Sequence, residues 1–223
     1  MRWTLALGLL LGAAPAAADS RLYTTDRPPD FSFSLSHHTM DLDYGGSRID
    51  TTVDRIGVAW RERFGERLQL GLAGGYSFLT QSNNPPLAGR ELSGYHAGML
   101  LDLDLLTYER GGVSLHGAWL YQKMDDDNGM QQVVISWREP SASLRATARI
   151  GDALLVYGGA RYGVIDGTQR LTGTINETRK ISQTDRVGGF VGVQLNLEDN
   201  GYIGAAAAAG FDRYTGVYFG RRF

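Results

Sequence analysis

The 223-residue chain carries 22 Lys and Arg against 24 Asp and Glu, for a formal net charge of -2, and has no cysteine. The balance of charge argues against a nucleic-acid partner, and the lack of thiols excludes disulfides, thiolate metal sites and a cysteine nucleophile. Beyond the first residues no run approaches the roughly 20 apolar residues that a membrane-crossing helix needs.

Residues 1–18 have the form of an export signal. Arg2 supplies positive charge, Leu5 to Leu11 an apolar stretch, and Ala16-Ala17-Ala18 a small-residue cleavage site. Residues 19–29 are polar and end in Pro28-Pro29, which cannot join a ladder, so they read as a periplasmic lead-in. Residues 30–223 read as one all-β unit.

The first strand opens at Asp30, where Phe31, Phe33 and Leu35 alternate with Ser32, Ser34 and Ser36. Ile56, Val58 and Trp60 then alternate with Arg55, Gly57, Ala59 and Arg61. Leu68, Leu70, Leu72 and Tyr76 follow against Gln69, Gly71, Ala73 and Ser77. From Tyr95 to Leu105 the apolar residues oppose His96, Gly98, Asp102 and Asp104, and from Val113 to Tyr121 they oppose Ser114, His116 and Gln122. Val133, Ile135 and Trp137 sit on odd positions but Leu144, Ala146, Ala148 and Ile150 on even ones, a slip near Glu139-Pro140 that a bulge would repair. Leu154, Val156, Ala160 and Tyr162 oppose Tyr157 and Arg161, and Val187 to Leu197 oppose Arg186, Gln194 and Asn196.

Connections alternate in length. Residues 64–66, 107–112, 151–152 and 198–201 are short, while 81–89, 124–129 and 166–184 are longer and polar. Transmembrane barrels have short periplasmic turns and longer external loops, and their strands need about 9 to 11 residues to cross at a tilt. The pattern predicts a transmembrane, antiparallel, up-and-down β-barrel of about ten strands, or eight if the Ala-rich pair near residues 202–223 or the first pair is misread. Phe31, Trp60, Tyr76, Phe78, Trp119, Tyr121 and Trp137 are expected in interfacial girdles.

The last strand, YTGVYFGRRF, resembles the terminal assembly signal of outer-membrane barrels through Val217, Phe219 and Phe223, with Arg221 departing from the pattern. The resemblance implies recognition by the barrel-assembly machinery and residence among outer-membrane lipid and lipopolysaccharide. The whole chain resembles the opacity proteins and other small porin-like barrels without pointing to a single family. The expected strand count is also similar to that of omptin-type proteases, a resemblance that implies paired acids and an Asp-His pair at the outer rim. Here the rim offers His37, His38, Asp41 and Asp43, with Asp125, Asp126 and Asp127 in a loop reading as a solvated turn.

If apolar faces meet lipid, the other faces fill the lumen with Arg55, Arg61, Arg63, Arg145, Arg149, Arg161 and Arg186, beside His96, Asp102, Asp104 and His116. A barrel this small has room for side chains and few waters, so a paired network is expected. Interior glycines leave space for the arginines. A turn at residues 106–112 with Leu105 opposite Val113 sets Asp102 opposite His116 and Asp104 opposite Ser114, gathering acid, base and hydroxyl as in acyl transfer. These expectations give a non-enzymatic outer-membrane barrel, forming a narrow or plugged pore or a structural and surface-interaction protein, with no cofactor and no metal. The alternatives are a barrel enzyme using Asp102, His116 and Ser114, or His38 with Asp41, on lipid or peptide, and an adhesin or receptor binding through residues 81–89 and 166–184.

Overall fold

The computed structural model describes residues 29–87 and 89–223, so the expected export signal lies outside the described residues. Twelve strands form a single antiparallel sheet. They are β1 (Asp30–Tyr44), β2 (Arg48–Phe64), β3 (Leu68–Ser82), β4 (Glu91–Tyr108), β5 (Gly111–Asp127), β6 (Gln131–Ile150), β7 (Leu154–Gly163), β8 (Asp166–Gly173), β9 (Glu177–Gln183), β10 (Val187–Asn196), β11 (Gly201–Gly210) and β12 (Arg213–Arg222).

Strand length explains the architecture. β7, β10, β11 and β12 have 10 residues each, enough for one tilted bilayer crossing. β1 to β6 have between 15 and 20, and so continue well past it. At the short-turn end all ten of these strands close into one ring, sealed by β1 against β12 from Asp30↔Arg222 to Thr39↔Arg213.

Above that level the sheet forks. β1 leaves β12 and takes β9 as its neighbour, from Leu42↔Gln183 to Tyr44↔Ile181. β6 leaves β7 and takes β8, from Arg138↔Asp166 to Gln131↔Gly173. The β8–β9 hairpin thus closes β1 to β6 into a second ring of eight strands stacked on the first. Residues 166–184, expected to be a polar loop, are mostly these two strands; the expectation failed because only two of their buried residues, Leu171 and Ile181, are apolar, the others being Gln169 and Gln183.

The two rings have opposite interiors on one continuous set of strand faces. In β1, Ser32, Ser34, Ser36 and His38 point inward below the fork, and Met40, Leu42 and Tyr44 point inward above it. Outside, Phe31 and Leu35 are exposed below, whereas Asp41 and Asp43 face out above. The upper ring encloses a core of Met40, Leu42, Tyr44, Ile49, Val53, Leu79, Leu87, Leu92, Met124, Val133, Ile135, Trp137, Ile165, Leu171 and Ile181. Eight strands give an interior just wide enough for side chains to fill, which accounts for this dry centre. Each fully buried aliphatic or aromatic side chain contributes roughly 1.5–3 kcal/mol.

This reversal, not a bulge, produces the slip at Glu139-Pro140. The β5–β6 register runs unbroken from Gly111↔Ala148 to Asp127↔Gln132, and odd residues of β6 face inward throughout. Trp137 is therefore 1% exposed in the core rather than in a girdle. Pro140 stands at the fork, its carbonyl accepting from the Val164 N–H at 3.1 Å. In a strand a residue's N–H and C=O face the same side, so the missing Pro140 donor faces the fork and costs the β5 ladder nothing.

The lower exterior is a band of exposed apolar side chains that includes Leu72, Met99, Val191, Val193, Val217 and Phe219. Trp60, Tyr76, Tyr95, Trp119 and Tyr162 lie outward among them. The shortest turns use Gly65 and Gly151 at φ of 69° and 63°, a left-handed conformation open to glycine.

Candidate functional site in the lumen

The lower ring encloses a chamber of about 750 Å³. Its wall runs from Ser36, His38, Arg55 and Arg161 beneath the fork to Asp30, Tyr108, Glu109, Arg149 and Arg222 at the short-turn end. None of the core residues of the upper ring line it, so the chamber ends blindly under that core.

Two polar layers cross the lumen. The upper one lies directly below the apolar core. Arg55 donates through Nη2 to Glu139 Oε2 at 2.7 Å and to Gln122 Oε1 at 2.8 Å, with the Arg55 and Glu139 side chains only 8% and 4% exposed. His38 Nδ1 donates to Asp212 at 2.9 Å, and its Nε2 accepts from the Ser36 hydroxyl at 2.9 Å. Arg161 reaches the same Asp212 at 3.4 Å, and Ser77 bonds His96 at 2.9 Å.

The lower layer contains the acid, base and hydroxyl expected from the turn. Asp102 lies opposite His116 and Asp104 opposite Ser114. Val113, however, pairs with Leu106, because β4 bulges at Leu105 and absorbs one residue beside the turn. His116 Nδ1 is hydrogen-bonded to Asp102, and His116 Nε2 accepts from the Ser114 hydroxyl at 2.8 Å. Arg61 approaches Asp102 at 3.4 Å, and Arg63 pairs with Asp104 at 3.0 Å.

Tyrosines pave the remaining wall. Tyr157 lies over Gly192, Tyr218 over Gly204 and Tyr202 over Gly220, each its cross-strand partner, so a side chain at any of these glycines would strike a ring. These glycines make room for flat tyrosines, while Gly71 leaves space for its cross-strand partner Arg61. The Tyr157 and Tyr218 hydroxyls meet at 3.1 Å.

Two solved structures resemble this arrangement in fold. The translocator domain of autotransporter NalP from Neisseria meningitidis matches with a TM-score of 0.54 at 11% identity, over 88% of this chain and 88% of that one. The outer membrane protease OmpT from Escherichia coli matches with a TM-score of 0.51 at 13% identity, over 90% of this chain and 98% of that one. No protein-family model and no curated protein sequence matches the chain. The chain has the outer-membrane β-barrel fold. In transmembrane barrels the short turns are periplasmic, and here the chamber mouth lies at the short-turn end, opposite the apolar cap.

In that frame, Arg55, Arg61, Arg63, Arg145, Arg149, Arg161, His96, Asp102, Asp104 and His116 all line the barrel's chamber. Arg186 does not, because it precedes β10 in the exposed external link, where strand alternation has not begun. His38 and Asp41 do not meet. His38 points into the lumen, while Asp41 faces out and pairs with Arg48, whose hydrogen bond holds the Asp41 carboxyl below its usual range. His37 faces outward and bonds Asp54 at 2.7 Å. Asp126 pairs with Arg90, and Asp127 accepts from the Gly129 N–H at 2.8 Å, closing the external turn. Asp212, Glu139 and the dry cap were missed. Asp212 meets His38 only through closure of β1 on β12, and the one trace of the cap in the sequence was the reversal of polarity along β6.

Proposed function

We propose that this protein is an integral outer-membrane barrel of non-enzymatic type, blocked on its external side and open to the periplasm as a solute-accessible chamber. The apolar core of the upper ring is the observation that carries this reading, since its buried side chains fill the ring and its few polar ones, among them Thr51, Gln81 and Gln169, are buried with it. The outward apolar band favours a lipid surround, and Lys123, Arg138 and Arg213, at the upper border of that band, suit lipopolysaccharide phosphates. Val217, Phe219 and Phe223 are exposed along the last strand, as recognition by the assembly machinery requires. The absence of native cysteine makes the access test direct. With a bulky polyethylene-glycol maleimide, Thr172→Cys on the cap should label in intact cells, and Asn196→Cys near the chamber mouth only once the periplasm is opened. Equal labelling of both in intact cells would overturn the reading.

A second reading rests on the lower layer. With Asp102 fixing the imidazole, His116 can take the Ser114 proton as Ser114 Oγ adds to an ester carbonyl, pass it to the leaving alcohol, and then activate water to release the acid. Against it, the half-buried Ser36 with the buried His38 and Asp212 repeats the same pattern, which favours a shared structural role for both. Hydrolysis of a nitrophenyl ester by the refolded barrel, lost by two orders of magnitude or more in Ser114→Ala and His116→Gln with folding intact, would support it. Unchanged rates would remove it.

A further inference from the structure

The charges of the chamber wall do not all cancel. Asp30 faces Arg222 at 3.6 Å, Asp102 binds His116 and Arg61, and Asp104 binds Arg63. Glu139 binds Arg55, and Asp212 binds His38 and Arg161. Apart from Glu109, in the turn at the chamber mouth, every carboxylate of this wall is thus engaged. Arg145, in the middle of β6, makes no ion pair among the described residues, and its buried Nε has no hydrogen-bond partner.

Its surroundings leave the guanidinium available. Gly159, directly across on β7, presents no side chain to it, and Ser114 lies across on β5. The guanidinium sits 5.4 Å from the centre of the Tyr157 ring, beside the paired hydroxyls of Tyr157 and Tyr218. Arg61, also on the chamber wall, already shares Asp102 with His116. The Asp102 charge attracts Arg145 without reaching ion-pair distance, and a buried guanidinium that lacks a direct carboxylate partner offers a planar fork of donors matched by an oxyanion.

We propose that Arg145 is the centre of an anion site in the chamber, which takes a small phosphate- or carboxylate-bearing solute, with the guanidinium as its donor fork. The closed ring of strands separates the site from lipid, so the anion is a free solute entering from the short-turn end. The site requires only that small solutes reach the chamber, which the cysteine labelling measures separately.

Calorimetric titration of the refolded, detergent-solubilised barrel with inorganic phosphate, at ionic strength held constant with chloride, tests it. Saturable binding is expected in the unaltered chain and in Arg149→Met at the chamber mouth. Arg145→Met, which keeps the aliphatic stem, should bind at least about tenfold more weakly. Thr147→Asp sets a carboxylate two residues along the same inward face and should abolish binding by supplying the missing partner, so it decides the matter if Arg145→Met fails to fold. A phosphate response equal to that of chloride, or undiminished binding in a folded Arg145→Met or Thr147→Asp, overturns the proposal.

Discussion

A barrel in which residues 166–184 are replaced by a short Gly-Ser link should pass ions across a planar bilayer, whereas the intact chain should pass none. The link is geometrically undemanding. Tyr162 and Val187, on either side of the excised segment, are already cross-strand partners, and the Gly163 N–H donates to the Arg186 carbonyl at 2.9 Å. A tight hairpin therefore suffices to join β7 to β10. The ten-strand ring keeps all its pairings. The eight-strand ring loses both strands that close it, along with Leu171 and Ile181 from its core. Val133, Ile135 and Trp137 then lose their cover, and water enters from outside. An arginine-rich lumen predicts anion preference in the resulting current. A silent bilayer from a variant that keeps its heat-dependent gel shift would assign the seal to the Arg55–Glu139 layer instead.

Glu139→Ala should cost about 3–5 kcal/mol of stability, read as a lowered urea midpoint in the refolded barrel. The substitution strands the Arg55 guanidinium, 8% exposed, between an apolar core above and a polar layer below, with only Gln122 to answer it. The double variant Arg55→Met, Glu139→Leu should regain most of the loss, because removing both charges removes the desolvation penalty as well. A single variant as stable as the parent would mean that water reaches the pair.

The lower ring was legible in the sequence because a lipid exterior imposes strict period-two alternation. Phe31, Phe33 and Leu35 against three serines leave no other face for the bilayer. The opposition of Asp102 to His116 was equally legible, since a tight turn sets register locally. The cap was not. Its inward residues, such as Leu42 and Val133, and its outward ones, such as Asp43 and Gln132, alternate as cleanly as those below, but with the chemistry exchanged. Alternation reveals that a strand has two faces without revealing which of them meets solvent. Strand length carried the missing information. Twenty residues in β6 exceed what a bilayer can hold, and the excess had to find a partner. Asp212 and its contacts with His38 and Arg161 depend on pairing across nearly the whole chain, which no local pattern encodes.

The fork at Pro140 and Met40 also bears on how the external part of the molecule meets surface proteases. Such enzymes bind substrate as extended backbone with unpaired N–H and C=O groups, added as a strand to their own cleft. An ordinary barrel that projected six long strands above the membrane would offer two raw edges there, one along β1 and one along β6. By supplying β9 to the first and β8 to the second, the chain leaves neither edge open. Among the described residues, what it exposes to attack is the tips at residues 45–47, 128–130 and 174–176, the connection after β3 and the link at 184–186.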